Sequence, residues 1–143
     1  MSDSFYCNLI RQFDRMPQDA GNYSPLALAY IGDAVYSLII RSVVMADGNA
    51  SVDKLHKETS RLVCAGAQAK LYEVLPPRLT EKEMDIMRRG RNAKSATMAK
   101  NATAGEYRKA TGVEALAGYL YLTGEMQRLY ELIRTGLEEA GLL

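Results

Sequence analysis

The sequence predicts an all-α fold, a single domain of five to seven helices. Three observations carry that expectation. Apolar residues recur at intervals of three and four along most of the 143 residues. Caps and breakers punctuate the ends of the candidate segments. No two alternating runs flank a tight turn as a β-hairpin would, and no internal repeat is present. A chain of this length also buries a core without staples.

The elements follow in order. Phe5, Leu9, Ile10 and Phe13 share a helical face, and Pro17 ends that pattern. The polar stretch QDAGNYS reads as a linker, so residues 1–23 form an N-terminal extension within one domain spanning 1–143. Ser24-Pro25 supplies an N-cap and a proline at the first helical position. That helix runs to about Met45, and Asp47-Gly48 stops it. Ser51 caps the next, with Val52, Leu55, Leu62 and Val63 on one stripe, and Pro76-Pro77 breaks the chain after it. Thr80 to Glu83 is a capping box that opens a short helix carrying Met84 and Met87, ended near Gly90. A polar, small-residue stretch follows with no convincing period. Helix resumes near Tyr107, and a last helix carries Met126, Leu129, Tyr130, Ile133 and Leu137.

The most apolar segment, LALAYIGDAVYSLII (residues 26–40), is too short for a span of about 20 residues. Asp33 interrupts it, at a cost of roughly 2.5–3.5 kcal/mol for insertion, and Arg41 closes it. The expectation is a buried core helix and no membrane. The N-terminus has no long apolar run of the signal-peptide kind. Cys7 and Cys64 are far apart, and a single His56 completes no zinc set. Two reduced thiols and a cytoplasmic location are expected. Without an export signal, the sequons at Asn49 and Asn101 read as chance matches.

Net charge is only +1, but it is unevenly spread. Between Arg88 and Lys109 stand seven cations and one acid, Glu106, a net +6 that leaves −5 for the remainder. A solvated loop is one reading. A loop that contacts phosphates is the other, since cations and small residues let a backbone approach a nucleic acid.

Two candidate core helices each carry one carboxylate among apolar residues, Asp33 beside Gly32 and Glu114 between Gly112 and Gly118. Glycine costs a helix interior about 1 kcal/mol, commonly offset by close helix–helix approach. Crossing at these glycines would bring the carboxylates together. Each acid could instead pair with an arginine or cap a backbone group. Two converging carboxylates in low dielectric require a proton or a cation between them. Oxygen donors completed by waters suit Mg²⁺, with Mn²⁺ as the alternative ion.

YIGDAV, followed much later by EALAGYLYL, resembles the ribonuclease III catalytic domain. There a signature FLGDAVL helix and a later D-x-x-E-A-L helix supply metal ligands. LALAYIGDAVY, LHKETSRLV, RRGRNAKS and YRKATGVEALAGYLYL are similar, in order, to the blocks of its Mini-ribonuclease III branch, which lacks a double-stranded-RNA-binding domain. The likeness runs from about Ser24 to about Leu137. It departs from the wider family at two positions. Ala29 stands where that family has a glutamate, and Thr111 where it has an aspartate.

The resemblance implies a metal-dependent endoribonuclease for double-stranded RNA that leaves a 5′-phosphate and a 3′-hydroxyl. Asp33 and Glu114 would be both catalytic residues and Mg²⁺ ligands, with Thr111 orienting water. Arg88, Arg89, Arg91, Asn92, Lys94, Ser95, Lys100 and Arg108 would bind RNA. Tyr30 would plug into the partner of a homodimer. The implied substrate is precursor 23S ribosomal RNA, with a ribosomal protein as a candidate helper. A catalytically silent RNA-binding or ribosome-assembly module on the same fold is the alternative.

Overall fold

The structure is a computed structural model that describes residues 4–94 and 103–143. Among the described residues it is all-helical. The elements are α1 (Phe5–Gln12), α2 (Pro25–Ala46), α3 (Val52–Val63), α4 (Ala65–Val74), α5 (Glu81–Asn92), α6 (Ala104–Leu122) and α7 (Met126–Glu139), with 3-10 turns at Ala20–Asn22 and Pro76–Arg78. Helix α6 is the hub. It packs against α2, α4, α5 and α7. From Ala110 to Tyr121 it is buried on nearly every side, as expected of a helix apolar all round.

The caps fall where the residues place them. Ser24 accepts from the Ala27 nitrogen and Ser51 from the Lys54 nitrogen. Thr80 and Glu83 form the expected capping box. Glu83 is also buried, and accepts from Arg128 Nη2 at 2.8 Å and Nε at 3.0 Å. The Arg128 hydrogen bond, the leading cause, holds its carboxyl below the ordinary range. This acid ties the start of α5 to α7 and takes no part in the candidate site.

Four expectations change. Helix α6 starts at Ala104 rather than near Tyr107, because Thr103 and Glu106 make a second capping box. Helix α5 runs two residues past Gly90, to Asn92. The helix expected from Ser51 to Pro76 is two helices, with Cys64 extended between them (φ −64°, ψ 159°). No breaker marks that position. The bend is tertiary, since α3 packs on α2 while α4 packs on α6 and α7. Finally, Phe5, Leu9 and Phe13 are exposed. Tyr6 and Ile10, one turn apart, face inward instead, with the Tyr6 ring 5.4 Å from Tyr121.

Helix α2 is buried on one face only. Leu28, Ala29, Gly32, Val35, Tyr36, Ile40 and Val44 point inward. Leu26, Tyr30, Leu38, Val43 and Met45 are exposed. By length and composition alone this helix could cross a membrane. Its inner face is that of a core helix.

The α2–α6 crossing has almost no side-chain layer. A Cβ on Gly32 would collide with the Glu114 carbonyl oxygen and lie 2.8 Å from the Gly118 nitrogen. One on Gly118 would collide with the Leu28 carbonyl oxygen. Helix α5 approaches α6 similarly, as a Cβ on Gly90 would lie 2.9 Å from the Gly112 Cα.

Gly32→Ala should therefore be severely destabilising, by about 3 kcal/mol or more. Gly105→Ala, where an added Cβ meets nothing within 4 Å, should change stability by less than about 0.5 kcal/mol. Urea denaturation of both variants checks the contrast. Equal stability would rule out backbone contact at the crossing.

Candidate active site

The glycine crossing determines where the two acids lie. Gly32 rests on the turn of α6 that carries Glu114, and Asp33 is the next residue along α2. The Asp33 and Glu114 side chains come within hydrogen-bonding reach of each other. The expected convergence is present, but not the expected depth. Asp33 is exposed and Glu114 only half-buried. The pair sits at the rim of the core because Asp33 belongs to the outward side of α2, with Tyr30 and Ala34.

The Glu114 carboxyl is pushed up to about 8, first by burial and then by the hydrogen bond and charge of Asp33. A hydrogen bond from Gln68 pulls the other way. In the metal-free protein a proton thus relieves the repulsion. The donor set fits a hard divalent cation. It consists of carboxylate oxygens open to solvent on one side, as Mg²⁺ requires when it keeps several waters. No group of three or more His, Cys, Asp or Glu side chains able to hold a metal occurs among the described residues. Of the carboxylates that the resemblance implies, Asp33 and Glu114 are present, and Ala29 and Thr111 stand at the other two positions.

The two departures from the family pattern have structural correlates. Ala29 is buried in a small cluster with Leu28, Ile86 and Ala115. Thr111 is buried too, and its hydroxyl donates to the Tyr107 carbonyl at 2.9 Å.

Arg88, Arg89 and Arg91 are exposed on the last turns of α5 rather than on a loop. Asn92 ends that helix and accepts from Arg91 Nη1 at 3.1 Å. Lys94 is exposed just beyond. Between these cations, Gly90 presses on Gly112 and Ala115, so the cationic helix end lies against the α6 turn that bears Glu114. Arg108 is exposed on α6, whereas Lys109 is engaged by Glu73. Ser95 and Lys100 lie outside the described residues. Tyr30 is 84% exposed, which excludes core packing within the chain.

Two residues near the acids escaped sequence reasoning. Tyr36, one turn after Asp33, is fully buried and donates to the Leu62 carbonyl at 2.7 Å. Burial, then the neighbouring Cys64 and Glu114, push its hydroxyl far up, so it stays a neutral donor. Gln68 is buried in α4. Its signal was present, as the one polar side chain in AGAQA, but nothing in the spacing says that it faces Glu114.

Residues 26–125 match the Ribonuclease III domain. The Mini-ribonuclease 3 of Thermoanaerobacter sp. is 51% identical over 115 residues, 80% of this chain and 81% of that protein. The Mini-ribonuclease 3 of Brevibacillus brevis is 44% identical over 123 residues, covering 86% and 92%. A crystal structure of a Fusobacterium nucleatum protein superposes with a TM-score of 0.76 at 30% identity, over 85% of this chain and 98% of that one.

The carboxylate pair makes stability depend on pH in a defined sense. Folded, metal-free protein keeps the Glu114 proton up to about 8, and the unfolded chain releases it near 4.5. Between these values the native state holds the extra proton. The contribution is full below 4.5 and is lost as pH rises toward 8, at about 1.4 kcal/mol per pH unit. Denaturation of metal-free protein across that window should show this slope, and Glu114→Gln should remove it. An identical slope in both proteins would contradict the pairing.

Proposed function

Because the chain belongs to the ribonuclease III family, and within it to the Mini-ribonuclease 3 group, we propose that it is a divalent-metal-dependent endoribonuclease of double-stranded RNA. The observation that carries this reading is the convergence of Asp33 and Glu114 beside the cationic end of α5. Asp33 and Glu114 would hold Mg²⁺ or Mn²⁺. Such an ion supplies an activated water and neutralises charge on the scissile phosphate. Arg88, Arg89, Arg91 and Lys94 bind backbone phosphates and orient the duplex, which is read mainly by shape, phosphates and 2′-hydroxyls. In-line attack leaves a 5′-phosphate and a 3′-hydroxyl. Thr111, its proton committed to Tyr107, keeps oxygen lone pairs with which to orient a water.

The exposed apolar residues of α2, Tyr30 the most exposed among them, support a two-fold homodimer in which each protomer cuts one strand. Precursor 23S ribosomal RNA in the cytoplasm is the proposed substrate, and a ribosomal protein the proposed helper. A catalytically silent RNA-binding module is favoured by one observation, the lack of a third acidic ligand among the described residues. Long duplex RNA with Mg²⁺ or with EDTA separates the two readings, since the enzyme cuts only with Mg²⁺ and the module binds without cutting.

Asp33→Asn should lower cleavage by more than about a hundredfold, beyond what loss of a supporting partner costs, and leave RNA affinity nearly unchanged. Full activity in that variant would sink the assignment. Replacing Arg89, Arg91 and Lys94 together by alanine should weaken binding and flatten the logarithmic salt slope by on the order of three. An unaltered slope would remove this helix end from the RNA contact. Tyr30→Ala should shift the protein toward monomer in light scattering, and wild-type monomer at micromolar concentration would contradict the dimer.

A further inference from the structure

Gln68 lies on the first turn of α4 and is 3% exposed. The extended Cys64 interrupts the helical ladder there, and Gln68 Nε2 donates to the Val63 carbonyl at 3.0 Å. Helix α4 packs on α6, and the Gln68 amide lies close enough to Glu114 to favour its charged form. Its Oε1, however, has no partner. Among the described residues it is the only buried side-chain nitrogen or oxygen left without a hydrogen bond. An orphaned buried acceptor forfeits its hydration without compensation, and in a native protein it calls for a physical explanation.

The location supplies one. Gln68 projects from α4, which packs on α6, and the α6 turn bearing Glu114 is the one on which Gly32, next to Asp33, rests. An amide oxygen is a hard, neutral donor of the kind that completes oxygen-ligated cation sites. Beside two carboxylates it adds a ligand without adding a third negative charge, and the Val63 carbonyl fixes how the amide is turned. We propose that Gln68 is a third oxygen donor of the Asp33–Glu114 cation centre, acting through Oε1 directly or across one water. This rests on reading Asp33 and Glu114 as cation ligands.

The test is Mn²⁺ affinity of the full chain without RNA, followed by electron paramagnetic resonance. Wild type, Asp33→Asn and Gln68→Met are compared. Gln68→Met keeps the volume and removes the oxygen, and should weaken Mn²⁺ binding by roughly ten- to a hundredfold. Wild-type affinity in Gln68→Met, with binding lost in Asp33→Asn, would overturn the Gln68 assignment alone and leave it a cap for Val63. No wild-type binding, or binding indifferent to Asp33→Asn, would overturn the cation centre itself. Should Gln68→Met fail to fold, Mg²⁺ titration of ¹³C-labelled wild type decides the matter. The Gln68 Cδ resonance should move and saturate with the ion, and an unmoved resonance would overturn the proposal.

Discussion

Everything else in the molecule depends on two backbones that touch. At the α2–α6 crossing, Gly32 and Gly118 let carbonyl groups of one helix occupy the space where the other would carry a Cβ. Without that approach α2 would stand off from α6, and Asp33 would not reach the Glu114 side chain. Two glycines inside helices weaken each helix taken alone. The fold accepts that cost because interaxial distance is what puts the acids in register. Gly90 repeats the device from the other side and brings the cationic end of α5 onto the same turn.

The site that results is electrostatically unfinished. Two acids within hydrogen-bonding reach cannot both ionise comfortably, and in the metal-free protein the half-buried one retains its proton. Glu83 shows how this chain treats an acid that is purely structural. It is buried, and accepts twice from Arg128 and once from the Thr80 backbone. Asp33 and Glu114 have no such arginine in contact among the described ion pairs. The contrast within one molecule argues that the pair is arranged for a ligand rather than for stability. The exposed face of α2 is likewise unfinished in a single chain, with large apolar side chains flanking Asp33.

Much of this was legible in the residues. Caps at Ser24, Ser51 and Thr80 have a local mechanism, so they could be read locally. The convergence of Asp33 and Glu114 could be anticipated because glycine pairs report close approach. What escaped was tertiary in origin. The break at Cys64 has no sequence marker, since it exists to let α4 leave α3 and lie on α6. Burial of Gln68 follows from that bend, so it was hidden as well. Asp33 was expected inside because α2 is apolar all along its length. Its exposed stripe shows that apolarity does not reveal which face the chain itself covers. The cations of α5 read as a loop because arginines and a glycine mask helical spacing, while Thr103 and Glu106 spell the same local capping box as Thr80 and Glu83.

A divalent-cation site built from Asp33 and Glu114 at the glycine crossing would be directly visible once loaded. Anomalous diffraction from crystals grown with Mn²⁺ tests it most directly. An ion peak between the Asp33 and Glu114 carboxylates is the expected result. Carboxylates paired through a shared proton in saturating Mn²⁺, with no peak between them, would contradict it.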